Sequence, residues 1–174
     1  MVGHSEHCKT PMARFTSIDG DLLDQPVEVI VNAWNRNIIP WWLLIPQGVS
    51  GAIKRRAGLA PFKEIGRTGP LPLGHARWTK AGNLPFKGII HVAGINMSWR
   101  ASEQGIRDCT RNALELAVRK DVRSIAFPII GTGSGGFQQD VAKSIMEAVI
   151  SEHEFAGEVL LVTWSAVQRS LSDG

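Results

Sequence analysis

Three segments of this chain combine residue types suited to holding a polar ligand, and each follows a short apolar run. The sharpest is Gly131-Thr132-Gly133-Ser134-Gly135-Gly136-Phe137, which puts four glycines and two hydroxyls in six residues behind Phe127-Pro128-Ile129-Ile130. A glycine-rich turn between a buried strand and a helix lets successive backbone N–H groups wrap an anion such as a phosphate or diphosphate. It is not a Walker A loop, because no Gly-Lys-Ser/Thr closes it, and it lies too late in the chain for a Rossmann fingerprint. The second segment is Val29-Ile30-Val31-Asn32-Ala33-Trp34-Asn35, an apolar strand ending in two asparagines whose amides need partners. It is followed downstream by Gly48-Val49-Ser50-Gly51, where a helix N-terminus with exposed amides favours an anionic group. The third is Gly20-Asp21-Leu22, whose acid either caps the next segment or accepts a hydrogen bond from a ligand's amino group.

The elements that must position these loops are short. Runs rich in β-branched and apolar residues predict strands at 15–18, 27–33, 76–79, 88–93, 124–130 and 159–164. Helical patterns fall at 49–57, 102–120 and 139–153. The second helix carries Ile106, Cys109, Ala113, Leu116 and Ala117 on one stripe, with Ser102 as N-cap; the third carries Val141, Ile145, Ala148, Val149 and Glu152. Strands alternating with helices indicate an α/β domain with its sheet covered on both faces. Ligands in such sheets bind beyond the carboxyl ends of the strands, where all three segments lie. Trp164 closes the last strand and either stacks on a base or caps the core, while His91, inside an apolar strand, reads as a hydrogen-bonded core histidine and not a base.

The chain has 174 residues, 44% of them hydrophobic and 20% charged, which fits one globular domain and excludes disorder or coiled coil. The expected boundaries are a tail at 1–12, a single domain at 13–168 and a tail at 169–174. Nineteen Lys and Arg against 16 Asp and Glu leave a net charge of +3, which is no polybasic footprint, so nucleic acid is not supported as a partner. Lys54-Arg55-Arg56 is a short basic run on a helix and reads as a solvated face. Cys8 and Cys109 form neither a disulfide framework nor a zinc site, and a cytoplasmic setting is expected. His4, His7 and Cys8 lack a fourth metal ligand, so no metal and no cofactor is expected. The apolar segment 38–46, with Trp41 and Trp42, is too short to span a bilayer, and no membrane association is expected. It reads either as a packed segment or as the wall of a cleft.

Taken in order, the motifs resemble those of the macrodomain family of ADP-ribose-binding modules. Gly20-Asp21-Leu22 is similar to the family's Gly-Asp-Ile, Val31-Asn32-Ala33-Trp34-Asn35 to Val-Asn-Ala-Ala-Asn, and Gly48-Val49-Ser50-Gly51-Ala52-Ile53 to Gly-Val-Asp-Gly-Ala-Ile. Leu73-Gly74-His75-Ala76 resembles Thr-Gly-Glu-Ala, and Ile90-His91-Val92-Ala93-Gly94 resembles Ile-His-Thr-Val-Gly. The strand ending Phe127-Pro128, followed by Gly131-Thr132-Gly133, completes the series, which covers about residues 15–164.

The resemblance implies a three-layer α/β/α sandwich with a central mixed sheet that binds ADP-ribose or an ADP-ribosylated substrate. It places Asp21 and Leu22 at the adenine with Trp164 beside it. Gly48, Val49, Ser50 and Gly51 then clamp the diphosphate and distal ribose together with Gly131, Thr132, Gly133, Ser134, Gly135, Gly136 and Phe137. Asn32 joins the binding set, and Asn35 faces the distal ribose as the catalytic candidate. The implied activity is hydrolysis of an ADP-ribosyl linkage or of O-acetyl-ADP-ribose, against which stands a non-catalytic ADP-ribose reader and, more weakly, an RNA or other nucleotide binder. Two departures bear on catalysis. Ser50 stands where many family hydrolases carry an aspartate implicated in activating water, and serine is not a general base without a proton-accepting partner. Gly135 replaces an aromatic residue that flanks the distal ribose, a role that Trp41 or Trp42 is then expected to take.

Overall fold

A computed structural model describes residues 14–36 and 48–164. The expected tails, His4, His7 and Cys8, and the Trp41–Trp42 segment lie outside the described residues. Six strands run β1 (Arg14–Asp19), β2 (Val29–Trp34), β3 (Ala76–Thr79), β4 (Gly88–Ala93), β5 (Ser124–Pro128) and β6 (Glu158–Thr163). Four helices lie between them: α1 (Gly48–Ala57), α2 (Ala60–Gly66), α3 (Glu103–Arg119) and α4 (Gln139–Glu152). The strands form one sheet in the order β1-β6-β5-β2-β4-β3. All neighbours are parallel except β3, which pairs antiparallel with β4 at the edge. The mixed sheet and the α/β sandwich are those expected from the sequence.

Alternation along the central strands explains how one sheet serves two cores. In β2, Val29 and Val31 face the layer of α3 and α4, whereas Ile30 and Trp34 face the layer of α1 and α2. Every residue of β4 is buried. Helix α3 follows from its sequence: Ser102 caps it by accepting from the Gly105 N–H at 3.1 Å, and Ile106, Cys109, Ala113, Leu116 and Ala117 are all buried.

The structure differs from the sequence reading in three places. Helix α4 is rotated from the expected stripe: Val141 is 45% exposed, and the buried set is Ala142, Ile145, Met146, Val149 and Ile150. These positions keep the 3.6-residue period, and Met146 fills the slot that Ala148 was expected to take. Strand β5 stops at Pro128 instead of residue 130, and Ile130 turns into the core, where its N–H meets Met146 Sδ at 3.4 Å. Helix α2 was not expected. It has only seven residues, but Gly58 breaks α1 and Pro61 sits in its first turn, where a missing N–H costs nothing.

Candidate functional site

The parallel strands all send their carboxyl ends to one edge of the sheet, and a cavity of about 720 Å³ lies along that edge. It is lined from five adjacent strand ends: Gly20 after β1, Val162 and Trp164 at β6, Pro128 at β5, Asn35 after β2 and Gly94 after β4. Four strand spacings of about 4.8 Å make such a trough roughly 19 Å long. That is long enough for a nucleoside diphosphate carrying a second sugar, and the volume is that of an ordinary ligand site.

The loop after β5 forms the middle of the trough. It is tied back on itself, since Phe137 N–H donates to the Gly131 carbonyl at 3.0 Å and Gly136 N–H to the Gly133 carbonyl at 3.2 Å. It is also tied to the loop after β4 through Ala101 N–H and the Gly135 carbonyl at 3.2 Å. The backbone amides of Thr132, Gly133, Ser134 and Gly135 donate to no described group. A side chain at Gly135 is excluded, because a Cβ there would stand 2.6 Å from the Gly131 carbonyl oxygen and 2.8 Å from the Ala101 methyl. Gly133 is open on its outer side, with nothing within 4 Å of a built Cβ. Across the trough, α1 begins at Gly48, and its first-turn amides have no intrahelical acceptor. Val49 and Ser50 of that turn line the cavity.

No charged side chain is among the described lining residues. The described lining therefore offers an anion backbone dipoles and hydroxyls, with no lysine, arginine or carboxylate among its residues. Among the described residues there is no cluster of three or more His, Cys, Asp or Glu that could hold a metal ion. None of their helices is long and apolar enough to cross a membrane. Cys109 is buried in the core, and that burial pushes its thiol up to about 12, far from a nucleophile.

The residues singled out from sequence divide by place. Leu22, Asn35, Gly48, Val49, Ser50, Gly131, Thr132, Gly133, Ser134, Gly135, Phe137 and Trp164 line the cavity. Gly136 closes the loop behind Gly133, and Gly51, the fourth residue of α1, is buried. Asp21 is beside the cavity between the lining residues Gly20 and Leu22, and its carboxylate caps the turn at Leu22–Asp24 by accepting from Leu23 N–H at 2.8 Å. Its other oxygen faces the guanidinium of Arg56 at 3.5 Å, so part of the basic run on α1 is engaged by acids. Asn32 is fully buried behind the cavity wall. Its side chain takes the Ser50 hydroxyl proton at 2.7 Å and meets His91 Nδ1 at 3.1 Å. His91 is a hydrogen-bonded core histidine, as its strand position implied, and burial drives its pKa down to about 3.

Sequence reasoning missed Trp99. It lines the cavity, is 46% exposed, and is carried on a backbone with φ 59°, a conformation a bulky residue rarely adopts. Asn96 holds the turn, accepting from the N–H groups of Ser98 and Arg100 at 2.9 and 3.0 Å. An aromatic residue therefore reaches the trough from the β4 loop, although Gly135 leaves no room for one at its own position in the β5 loop. The signal was present in the sequence: residues 94–101 also follow the carboxyl end of a strand, where the ligand rule applies.

Comparison with known proteins agrees with this architecture. Residues 31–146 match the Macro domain family. The chain is 38% identical to an O-acetyl-ADP-ribose deacetylase of Escherichia fergusonii over 148 residues, covering 80% of each. It is 35% identical to a macro domain-containing protein of Methanosarcina mazei, over 87% of this chain and 82% of that one. Among solved structures, a mutant of the Oceanobacillus iheyensis macrodomain with ADPR superimposes with a TM-score of 0.76 at 30% identity, covering 91% of this chain and 89% of that one. This chain belongs to the macrodomain family.

Proposed function

We propose that the chain binds ADP-ribose along the trough and hydrolyses a bond to its distal ribose, either an ADP-ribosyl linkage to a target or the ester of O-acetyl-ADP-ribose. The observation that carries the reading is the pair of amide clusters facing one cavity whose described lining holds no charged side chain. The free N–H groups of residues 132–135 and the first turn of α1 stand where a diphosphate would be gripped from two sides. In this reading the order of the motifs gives the ligand's direction. The adenine lies over β1 and β6 near Asp21, Leu22 and Trp164, the diphosphate over β5, and the distal ribose over β2 and β4 near Asn35 and Ser50. The relative named above as a deacetylase and the structure with ADPR support ADP-ribose as the ligand.

With no carboxylate on the described lining, rate enhancement in this reading comes from positioning and fixed dipoles. Asn35 orients the distal sugar or a water, while the loop amides stabilise charge that develops on the leaving group. The same missing carboxylate favours a second reading, a module that binds ADP-ribose without turnover.

The deciding experiment incubates the protein with O-acetyl-ADP-ribose and with a mono-ADP-ribosylated protein while following free ADP-ribose. The hydrolase reading expects release from at least one substrate above the uncatalysed rate, and loss of that release in Asn35→Ala. Saturable binding of ADP-ribose with no release from either substrate would leave the reader.

A further inference from the structure

Four polar side chains cross the layer between the sheet and α1–α2, starting at the cavity and ending in the core. Ser50 Oγ donates to Asn32 Oδ1 at 2.7 Å, and the one other described acceptor near that proton is the Ala33 carbonyl at 3.4 Å. Asn32 Nδ2 stands 3.1 Å from His91 Nδ1. His91 Nε2 stands 2.9 Å from Thr79 Oγ1, and Thr79 Oγ1 donates to the Lys80 carbonyl at 3.1 Å. Asn32, His91 and Thr79 are all fully buried.

With Asn32 Oδ1 toward Ser50 and Nδ2 toward His91, valence fixes the direction of every proton in this chain. An amide NH₂ can only donate, so His91 Nδ1 must accept and the imidazole proton must sit on Nε2. That proton points at Thr79 Oγ1, which accepts it and passes its own proton to a carbonyl that can only accept. The imidazole is neutral, since it is fully buried, with Trp34 and Phe62 at centroid distances of 6.4 and 6.2 Å, and burial lowers its pKa. The result is a one-way series in which Ser50 has already spent its proton inward. Only oxygen lone pairs remain on its pocket side.

We propose that Asn32, His91 and Thr79 are positioning residues that hold Ser50 as a hydrogen-bond acceptor toward the cavity, where it takes the proton of a hydroxyl on the ligand's distal sugar. The polarity rests on the orientation of the Asn32 amide, while the identity of the donor rests on the ADP-ribose reading above. An amide as second link makes this an orienting chain and not a proton wire, because Asn32 cannot hand a proton on without becoming an imidic acid. Ser50 thus selects a donor without acting as a base. The opposite polarity is self-consistent in only one way: His91 carries its proton on Nδ1, Thr79 donates to Nε2 instead of to Lys80, and Ser50 is freed to donate into the pocket.

That alternative makes the test direct. Nitrogen-15 NMR of the full chain without ligand, at neutral pH, should show His91 as the Nε2-protonated tautomer; an Nδ1-protonated ring overturns the proposal whatever the protein binds. Titrations with ADP-ribose and with ADP, which lacks the distal sugar, test the donor. Ser50→Ala should weaken ADP-ribose roughly 3- to 10-fold, the worth of one hydrogen bond, and leave ADP within about twofold. Thr79→Val, remote from the cavity and of similar shape, should reproduce the selective loss by releasing the imidazole proton, and Thr79→Ser should restore affinity. Equal losses for both ligands, or no loss in Thr79→Val, would overturn the assignment. A folded wild-type protein that binds neither ligand would instead break the ADP-ribose reading and the donor with it, leaving the tautomer to decide the polarity.

Discussion

The two faces of the sheet are built on opposite principles. The layer under α3 and α4 is aliphatic and aromatic, from Val29 and Ile90 to Leu114, Phe127 and Ile150, and the one fully buried polar side chain described on α3, Thr110, donates within its own helix to the Ile106 carbonyl at 2.8 Å. The layer under α1 and α2 has a comparable set of aliphatic and aromatic residues but threads Asn32, His91 and Thr79 through them. Buried polar groups cost stability unless every one is paired, so their concentration on one face marks where the fold exchanges stability for specificity. That face is also the one from which α1 presents its first turn to the trough.

The largest effect should come from breaking the apolar face. Leu114→Ala removes a fully buried side chain on α3, away from the trough, and should cost about 3 kcal/mol in urea denaturation while the folded protein keeps its ligand affinity. Next is the amide loop. Gly133→Glu has open space for its side chain, so the melting temperature should stay near that of the parent. Its carboxylate against a diphosphate should lower ADP-ribose affinity by about 100-fold or more, roughly 2.7 kcal/mol. A variant that melts early, or binds unchanged, would place the diphosphate elsewhere.

Acid should separate the faces in a third way. His91 titrates near 6.5 in the unfolded chain and at about 3 in the folded one. Its contribution is therefore complete above pH 6.5 and is lost as pH falls from 6.5 toward 3, because the unfolded state binds the extra proton. The limiting slope is about 1.4 kcal/mol per pH unit, and the interval from 6.5 to 5 lies above the range where carboxylates such as Glu28 contribute. His153 is shifted the same way by partial burial, so the comparison is with His91→Gln, in which denaturant midpoints between pH 5 and 6.5 should flatten. The smallest effect belongs to Asp21→Ala. It removes the cap on Leu23 N–H and should cost about 1 kcal/mol, well below the loss at Leu114.

Much of this contrast can be read in the sequence. The glycine run after β5, the amide-rich end of β2 and the glycine pair opening α1 each sit where chain order and apolar runs place them, and they meet at one edge of the sheet. What could not be read is which way a polar side chain turns. Asn32 and Asn35 look alike at the end of a strand, yet β-alternation sends Asn32 into the α1 layer and leaves Asn35 on the trough. Thr79 carries no local signal at all. It reaches His91 because β3 pairs antiparallel with β4 in a register that sets Arg77 opposite His91, making Thr79 its diagonal neighbour. Helix α2 and the face of α4 escaped for the usual reason, that short or broadly apolar segments fit several phases of the helical period.

The central claim is that backbone amides, on a described lining with no charged side chain, grip the diphosphate of ADP-ribose. Calorimetric titration of the full chain with ADP-ribose at about 50 and about 500 mM salt tests it most directly. Neutral donors at close range are little screened, so the account predicts saturable one-site binding whose affinity changes by less than about threefold. Absence of binding by the folded protein, or a fall of more than about tenfold at high salt as cationic contacts would give, would contradict it.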